Sequence, residues 1–378
     1  MLLRRALEKA DVFHGADHVY DIVEAATARR WAGHRADAVY DPELGAAIAN
    51  AHRSVTASSS ARTKHVAFLS SSHDRTIMRE MCSACGGEKY SFVYDELSWL
   101  VKDAPGFSLR ELLGVETKAK LSLESLQAHR ADMVSYSHSS CMCASRKLAF
   151  HTIVHAGSYA SPPWHASTSW QNPLMPMSAH DELPLALALL FLHTGGHGPD
   201  IVSFSSMYWD ITSGHFGSLD PQLPAFVDDL VEATNLAALQ ELATDARTLV
   251  ESVRAQVASL VVDGPLNKVL DALLGALPEP VRKAAESRLA PAASRLLPVF
   301  TLRTGMLAED HPRPISAAVA SVLAAVGDAV GAAVIDEWVL FSGAVRVHGA
   351  HPHPPLALAL FTWYANVWEA EEGIRLVL

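Results

Sequence analysis

An α/β fold, with helices covering both faces of a parallel sheet of about five strands, is the architecture this sequence predicts. Three observations carry that expectation. Short apolar runs recur at His65–Leu69, Met133–Tyr136, Leu148–Val154, Asp200–Phe204, Val299–Thr304 and Ala332–Trp338. Strands buried on both faces read as continuous runs of this kind. Helical spacing appears between and after them, at Arg75–Cys85, Leu183–Leu192, Leu223–Val262, Ile315–Val330 and Pro355–Ala370, and such alternation marks strand–helix–strand units. The composition, 49% hydrophobic and 19% charged over 378 residues, suits one large core or two small ones.

The elements divide the chain in order. Residues 1–63 form a polar helical extension, best at Val19–Arg30 and Pro42–His52, and end in the Ser/Thr-rich linker SVTASSSART. Residues 64–378 form the α/β domain. Residues 155–180 make a long loop rich in Pro, Ser, His and Trp, a kind often functional inside a compact domain. Residues 221–298 are an outsized helical insertion, since a crossover needs only about a dozen residues. Its Leu/Ala face favours packing over a lid or interaction arm.

The formal charge of -11, with Lys and Arg scattered, argues against a nucleic-acid surface. No run of about 18 uninterrupted apolar residues exists, so no membrane span is expected. The N-terminus lacks a secretory apolar core, which favours an intracellular setting; the Arg4–Arg5 start leaves an organellar presequence open. The four cysteines fall as Cys82-x-x-Cys85 and Cys141-x-Cys143. Two thiolates from each pair would complete a zinc tetrahedron. Disulfides are a further possibility, and free thiols are the favoured reading.

Ligands of open α/β sheets bind outside the carboxyl ends of the strands. After the first strand comes Ser70-Ser71-Ser72-His73-Asp74-Arg75, and after Ile201–Phe204 comes SSMYWD, with Ser206, Trp209 and Asp210. Later come Arg303-Thr304, then Asp336, then a loop with His348, His351 and His353. A serine at a strand-to-helix turn has helix N–H groups beside it for an oxyanion. A histidine on the last loop would take its proton, and a carboxylate would orient that histidine.

This succession resembles the SGNH (GDSL-type) hydrolases, and most closely their PC-esterase branch, which includes the trichome-birefringence-like acyltransferases. The resemblance spans roughly residues 64–370 and rests on short motifs. In that family the first strand ends in Gly-Asp-Ser, often followed by Arg; here the place reads Ser70-Ser71-Ser72, with Arg75 after it. The branch's Ser-Ser-Gly-Leu-Trp-Asp corresponds to SSMYWD, matching Ser205, Ser206, Trp209 and Asp210, with Met207 for Gly. Its Arg-Thr matches Arg303-Thr304, and its closing Asp-x-x-His-Pro matches His348-Gly349-Ala350-His351-Pro352, with His348 for Asp.

The resemblance implies an SGNH-like three-layer fold and an O-acyl (acetyl) esterase or acyltransferase acting on an acylated small molecule or carbohydrate, without cofactor or metal. Ser72 would be the nucleophile, His351 the base, and Asp336 or Asp210 the substitute orienter. Ser70, Ser71, His73, Arg75, Ser206, Trp209, Arg303 and His348 would line the substrate site. Losing the closing Asp can lower the rate about 10⁴-fold in a Ser-His-Asp enzyme. The competing expectation is therefore an inactive SGNH-like domain serving as a structural or binding subunit of a protein assembly. A third, a metal site at His348, His351 and His353, is disfavoured because prolines stiffen that loop.

Overall fold

A computed structural model describes residues 63–103, 122–144, 147–155, 157–160, 179–212, 216, 228–261, 268–289, 298–305, 313–335, 337, 346–347, 351–352, 357, 360–361 and 364. The expected N-terminal helices before Thr63 and the stretch 161–178 of the long loop lie outside the described residues.

The fold is α/β, with a mostly parallel sheet of seven strands. Strand β1 (Lys64–Ser70) leads into helix α1 (Ser72–Ala84), then β2 (Glu88–Tyr90), α2 (Phe92–Asp103) and α3 (Leu123–Asp132). A π-helical turn at Met133–Ser137 leads to β3 (Ser140–Cys143), β4 (Leu148–Val154), α4 (Ala179–His193), β5 (Ile201–Phe204) and α5 (Met207–Thr212). Helices α6 (Asp228–Val261), α7 (Lys268–Gly275) and α8 (Glu279–Ser287) fall between β5 and β6 (Val299–Arg303). Helix α9 (Arg313–Ala329), β7 (Ala333–Ile335) and a small antiparallel pair, β8 (Arg346–Val347) and β9 (His351–Pro352), complete the described elements.

The sheet runs β2-β3-β4-β1-β5-β6-β7. From β4 to β7 every neighbouring pair is parallel, whereas β3 is antiparallel to both of its neighbours. Numbered in chain order, the parallel strands β1, β4, β5, β6 and β7 stand 2-1-3-4-5 in space. In sheets of that order the chain winds outward in both directions from a switch point, here between β1 and β5, which leaves a crevice at their carboxyl ends.

Side chains alternate across β1 because successive Cβ atoms point to opposite faces. Val66 and Phe68 join a core with Ile77, Met81, Phe150 and Phe361, on the α1 side. Ala67 and Leu69 join a larger core with α2, α4, α6 and α9. Helix α4 is apolar nearly all round, with Leu183 and every residue from Leu185 to Leu192 buried, as befits a helix enclosed by neighbours. Among the described residues, no helix is long and apolar enough to cross a membrane.

One expected strand is corrected. Met133–Tyr136 continues α3 as the π-helical turn, and the strand lies further on at Ser140–Cys143. The reason is tertiary. β3 is fixed by its pairing with β4, by the Ser140 hydroxyl against His151 Nδ1 at 3.1 Å, and by its two cysteines. Cys82 pairs with Cys141 and Cys85 with Cys143, which corrects the free-thiol reading. The CxxC lies at the end of α1 and the CxC faces it from β3; residues two apart on a strand share a face, so both sulfurs meet the helix.

Candidate functional site

The crevice forms where β1 ends. Ser70 O accepts from His155 N at 2.9 Å on the β4 side, and Leu69 O accepts from Ser205 N at 2.9 Å on the β5 side. The chain then turns into α1. Ser71 is the N-cap in extended conformation, its Oγ accepting from His73 N at 3.3 Å. This satisfies one of the backbone donors left open at a helix start. Ser72 is the first helical residue and is half-buried, while Ser70, Ser71 and His73 are buried. Arg75 is half-buried one turn on. Tyr208 of α5 sits edge-on to His73, ring centroids 5.3 Å apart, and Trp209 stands at right angles to Tyr208.

Beneath this turn is a buried charge network. Asp74 takes a two-pronged contact from Arg303: Nη1 donates to Oδ1 at 2.8 Å and Nη2 to Oδ2. Ser70 Oγ also donates to Asp74 Oδ2. Arg303 Nε donates to Ser203 Oγ at 2.7 Å, and Nη1 reaches Glu337 Oε1 at 3.0 Å. The Tyr364 hydroxyl donates to Glu337. The guanidinium carbon lies over the Phe68 and Tyr364 rings, 5.5 and 5.1 Å from their centroids. Arg303 is only 2% exposed, so its donors serve protein groups. Burial pulls its pKa down, but Asp74 and Glu337 outweigh this and hold it charged well above its usual range. Burial pushes Glu337 upward, against Arg303. The network ties α1, β5, β6, the end of β7 and the C-terminal residues together under Ser72.

A second buried carboxylate borders the crevice. Asp210 Oδ1 accepts from Ser158 N at 2.5 Å, and Ser158 Oγ donates to Ser206 Oγ at 2.8 Å. Burial is the main cause that pushes Asp210 up to about 7, against the hydrogen bonds from Ser158 and Ser206. Gly157 makes this approach possible. Its φ is +93°, and a Cβ there would sit 2.7 Å from Asp210 Oδ1. His155 stacks on Phe204 at 5.3 Å, and burial lowers its pKa to about 4. On the same rim His180 Nε2 meets Ser158 O at 2.9 Å, and His138 Nε2 lies 3.0 Å from Glu182 Oε1.

The structure thus gathers Ser70, Ser71, Ser72, His73, Ser206, Trp209, Asp210 and Arg303 at the carboxyl end of the sheet. His351 opens β9, which packs beside α1, the helix that Ser72 starts. Asp336, His348 and His353 lie outside the described residues. Sequence reading singled out the 155–180 segment without naming His155, Gly157 or Ser158, and it missed the parts played by Glu337 and Tyr364. The one available signal was His155-Ala156-Gly157-Ser158 directly after an apolar strand, where a glycine among polar residues marks a close backbone approach. No protein-family model, curated protein or solved structure matches the chain.

Proposed function

We propose that the chain is an SGNH-like esterase or acyltransferase of O-acyl groups, with Ser72 as nucleophile and His351 as base. The observation that carries this reading is the position of Ser72. It is the half-exposed first residue of a helix, directly after β1, at the switch point of a 2-1-3-4-5 sheet. Ser72 Oγ attacks the acyl carbonyl while His351 takes its proton. The oxyanion faces the N–H groups at the start of α1, where the helix dipole favours negative charge. Collapse expels the alcohol, which takes the proton back from His351. Water or an acceptor hydroxyl then discharges the acyl-serine. Asp336 is the favoured orienter, because Asp210 is turned toward Ser158. The acyl group is acetyl on a carbohydrate-like hydroxyl, as the motif resemblance implies.

The two disulfides also bear on the setting. Such bonds persist in oxidising compartments, which moves the proposed location from intracellular to secretory.

A second reading has its own support. Met207 is buried against the end of β6, where a Cβ on Gly305 would sit 2.8 Å from Met207 Cβ, and Tyr208 covers His73. Side chains packed there suit a retired active site kept as a scaffold in an assembly. Hydrolysis of 4-nitrophenyl acetate separates the two. The esterase reading expects turnover that Ser72→Ala lowers to the uncatalysed background, since losing a triad's serine costs up to about 10⁶-fold. Equal rates in wild type and variant select the scaffold.

A further inference from the structure

We propose that the cysteine quartet Cys82, Cys85, Cys141 and Cys143 is a metal site in its reduced state, taking one zinc ion in a tetrahedral tetrathiolate. Three of the sulfurs already converge. The Sγ atoms of Cys85, Cys141 and Cys143 lie within 4.8 Å of one another, and Cys82 Sγ is bonded to that of Cys141. A zinc–sulfur bond of about 2.3 Å requires sulfurs about 3.8 Å apart at a tetrahedron's corners. The proposed site requires each bonded pair to separate to that distance once both disulfides are opened, with Cys82 Sγ joining the other three.

The backbone is shaped for the site on both sides. Helix α1 ends in a Schellman turn, with Gly87 N donating to Cys82 O at 2.8 Å and Gly86 N to Ser83 O at 3.2 Å. Gly86, at φ +61°, takes the left-handed position. The turn lays Gly87 over the sulfurs, so that a Cβ there would sit 2.5 Å from Cys141 Sγ and 3.0 Å from Cys85 Sγ. The partner pair lies on β3, whose pairing with β4 fixes its direction. Cys82, Cys141 and Cys143 are buried and Cys85 is half-buried, which shields a bound ion while leaving one side for entry.

The chemistry balances with a phosphine as reductant. Each disulfide takes two electrons from a phosphine, which gains oxygen from one water; that water's two hydrogens end on the two sulfurs. The four thiols then release four protons as zinc binds, because thiolates are the ligands. The redox poise of the compartment sets which state the quartet adopts. Either state tethers the end of α1, and so the helix that carries Ser72, to the sheet.

The test uses the full chain, reduced with a phosphine and titrated with Co²⁺, which reports thiolate ligation through sulfur-to-cobalt charge transfer. The expected result is one Co²⁺ per chain with that band, displacement by one Zn²⁺, and protection of all four thiols from a thiol reagent. Cys85→Ser and Cys143→Ser should each weaken the band while the near-ultraviolet circular dichroism stays native. Reduced protein that remains folded without the band, reduced protein that unfolds despite added metal, or a band indifferent to both substitutions overturns the proposal.

Discussion

Replacing Arg303 with Met keeps an unbranched apolar stem and removes the charge and the donors. The loss can be worked from the contacts. Asp74 loses both prongs of its contact, Glu337 loses a donor at 3.0 Å, and Ser203 loses one at 2.7 Å. Two carboxyl groups, 1% and 2% exposed, are left without their cation. Removing one partner of a buried pair typically destabilises by about 3–5 kcal/mol, chiefly because the other charge stays buried and uncompensated. Unfolding entropy for a domain of this size is about 0.6 kcal/mol per degree, so the midpoint should fall by about 5–8 °C. The cause leaves its own mark. Burial already pushes Glu337 upward against Arg303, and the variant removes that opposition, so its folded-state pKa lies further above its unfolded one. Its stabilising contribution is then complete below about pH 4 and lost as pH rises through the raised value. The gap between variant and wild type, measured by urea unfolding, should therefore be narrower at pH 5 than at pH 7.5. A gap below about 1 kcal/mol, or one equal at both pH values, refutes the reasoning that this network is a charge cluster held by Arg303.

Three other outcomes follow from the same geometry. Asp210→Asn should gain about 2–3 kcal/mol on wild type between pH 5 and pH 8, because a carboxyl raised to about 7 loses stability as it ionises; urea titrations at the two pH values check this. His155→Gln should remove a loss of about 2–3 kcal/mol that wild type suffers between pH 7 and pH 4.5, since a histidine lowered to about 4 stays neutral when the unfolded chain protonates. Removing both disulfides should cost about 4 kcal/mol for a loop of 59 residues, whereas removing either alone should cost far less, because its neighbour closes almost the same loop; denaturant unfolding of the three variants measures the difference.

Much of the sheet was legible because its centre is apolar. β1, β4, β5, β6 and β7 all coincide with runs read as strands, since burial on both faces leaves no alternation to obscure them. β3 was not legible: SCMC is a strand because of what it pairs with and is cross-linked to, while the neighbouring MVSY has strand-like residues and forms a helical turn. The position of the candidate site was legible in the Ser70-Ser71-Ser72 turn, since strand ends are where open α/β sheets bind ligands. Its support was not. Asp74 and Arg303 lie 229 positions apart, and nothing in either local sequence announces the other. Gly157 and Asp210 likewise meet only in the fold.

The central claim is that Ser72 is an activated nucleophile at the carboxyl end of β1. Labelling the purified chain with a fluorophosphonate serine probe, followed by peptide mass spectrometry, tests it most directly. The account predicts a single adduct on Ser72, abolished in Ser72→Ala protein whose circular dichroism is native. Folded wild-type protein that takes no label, or that carries it on another serine, contradicts the account.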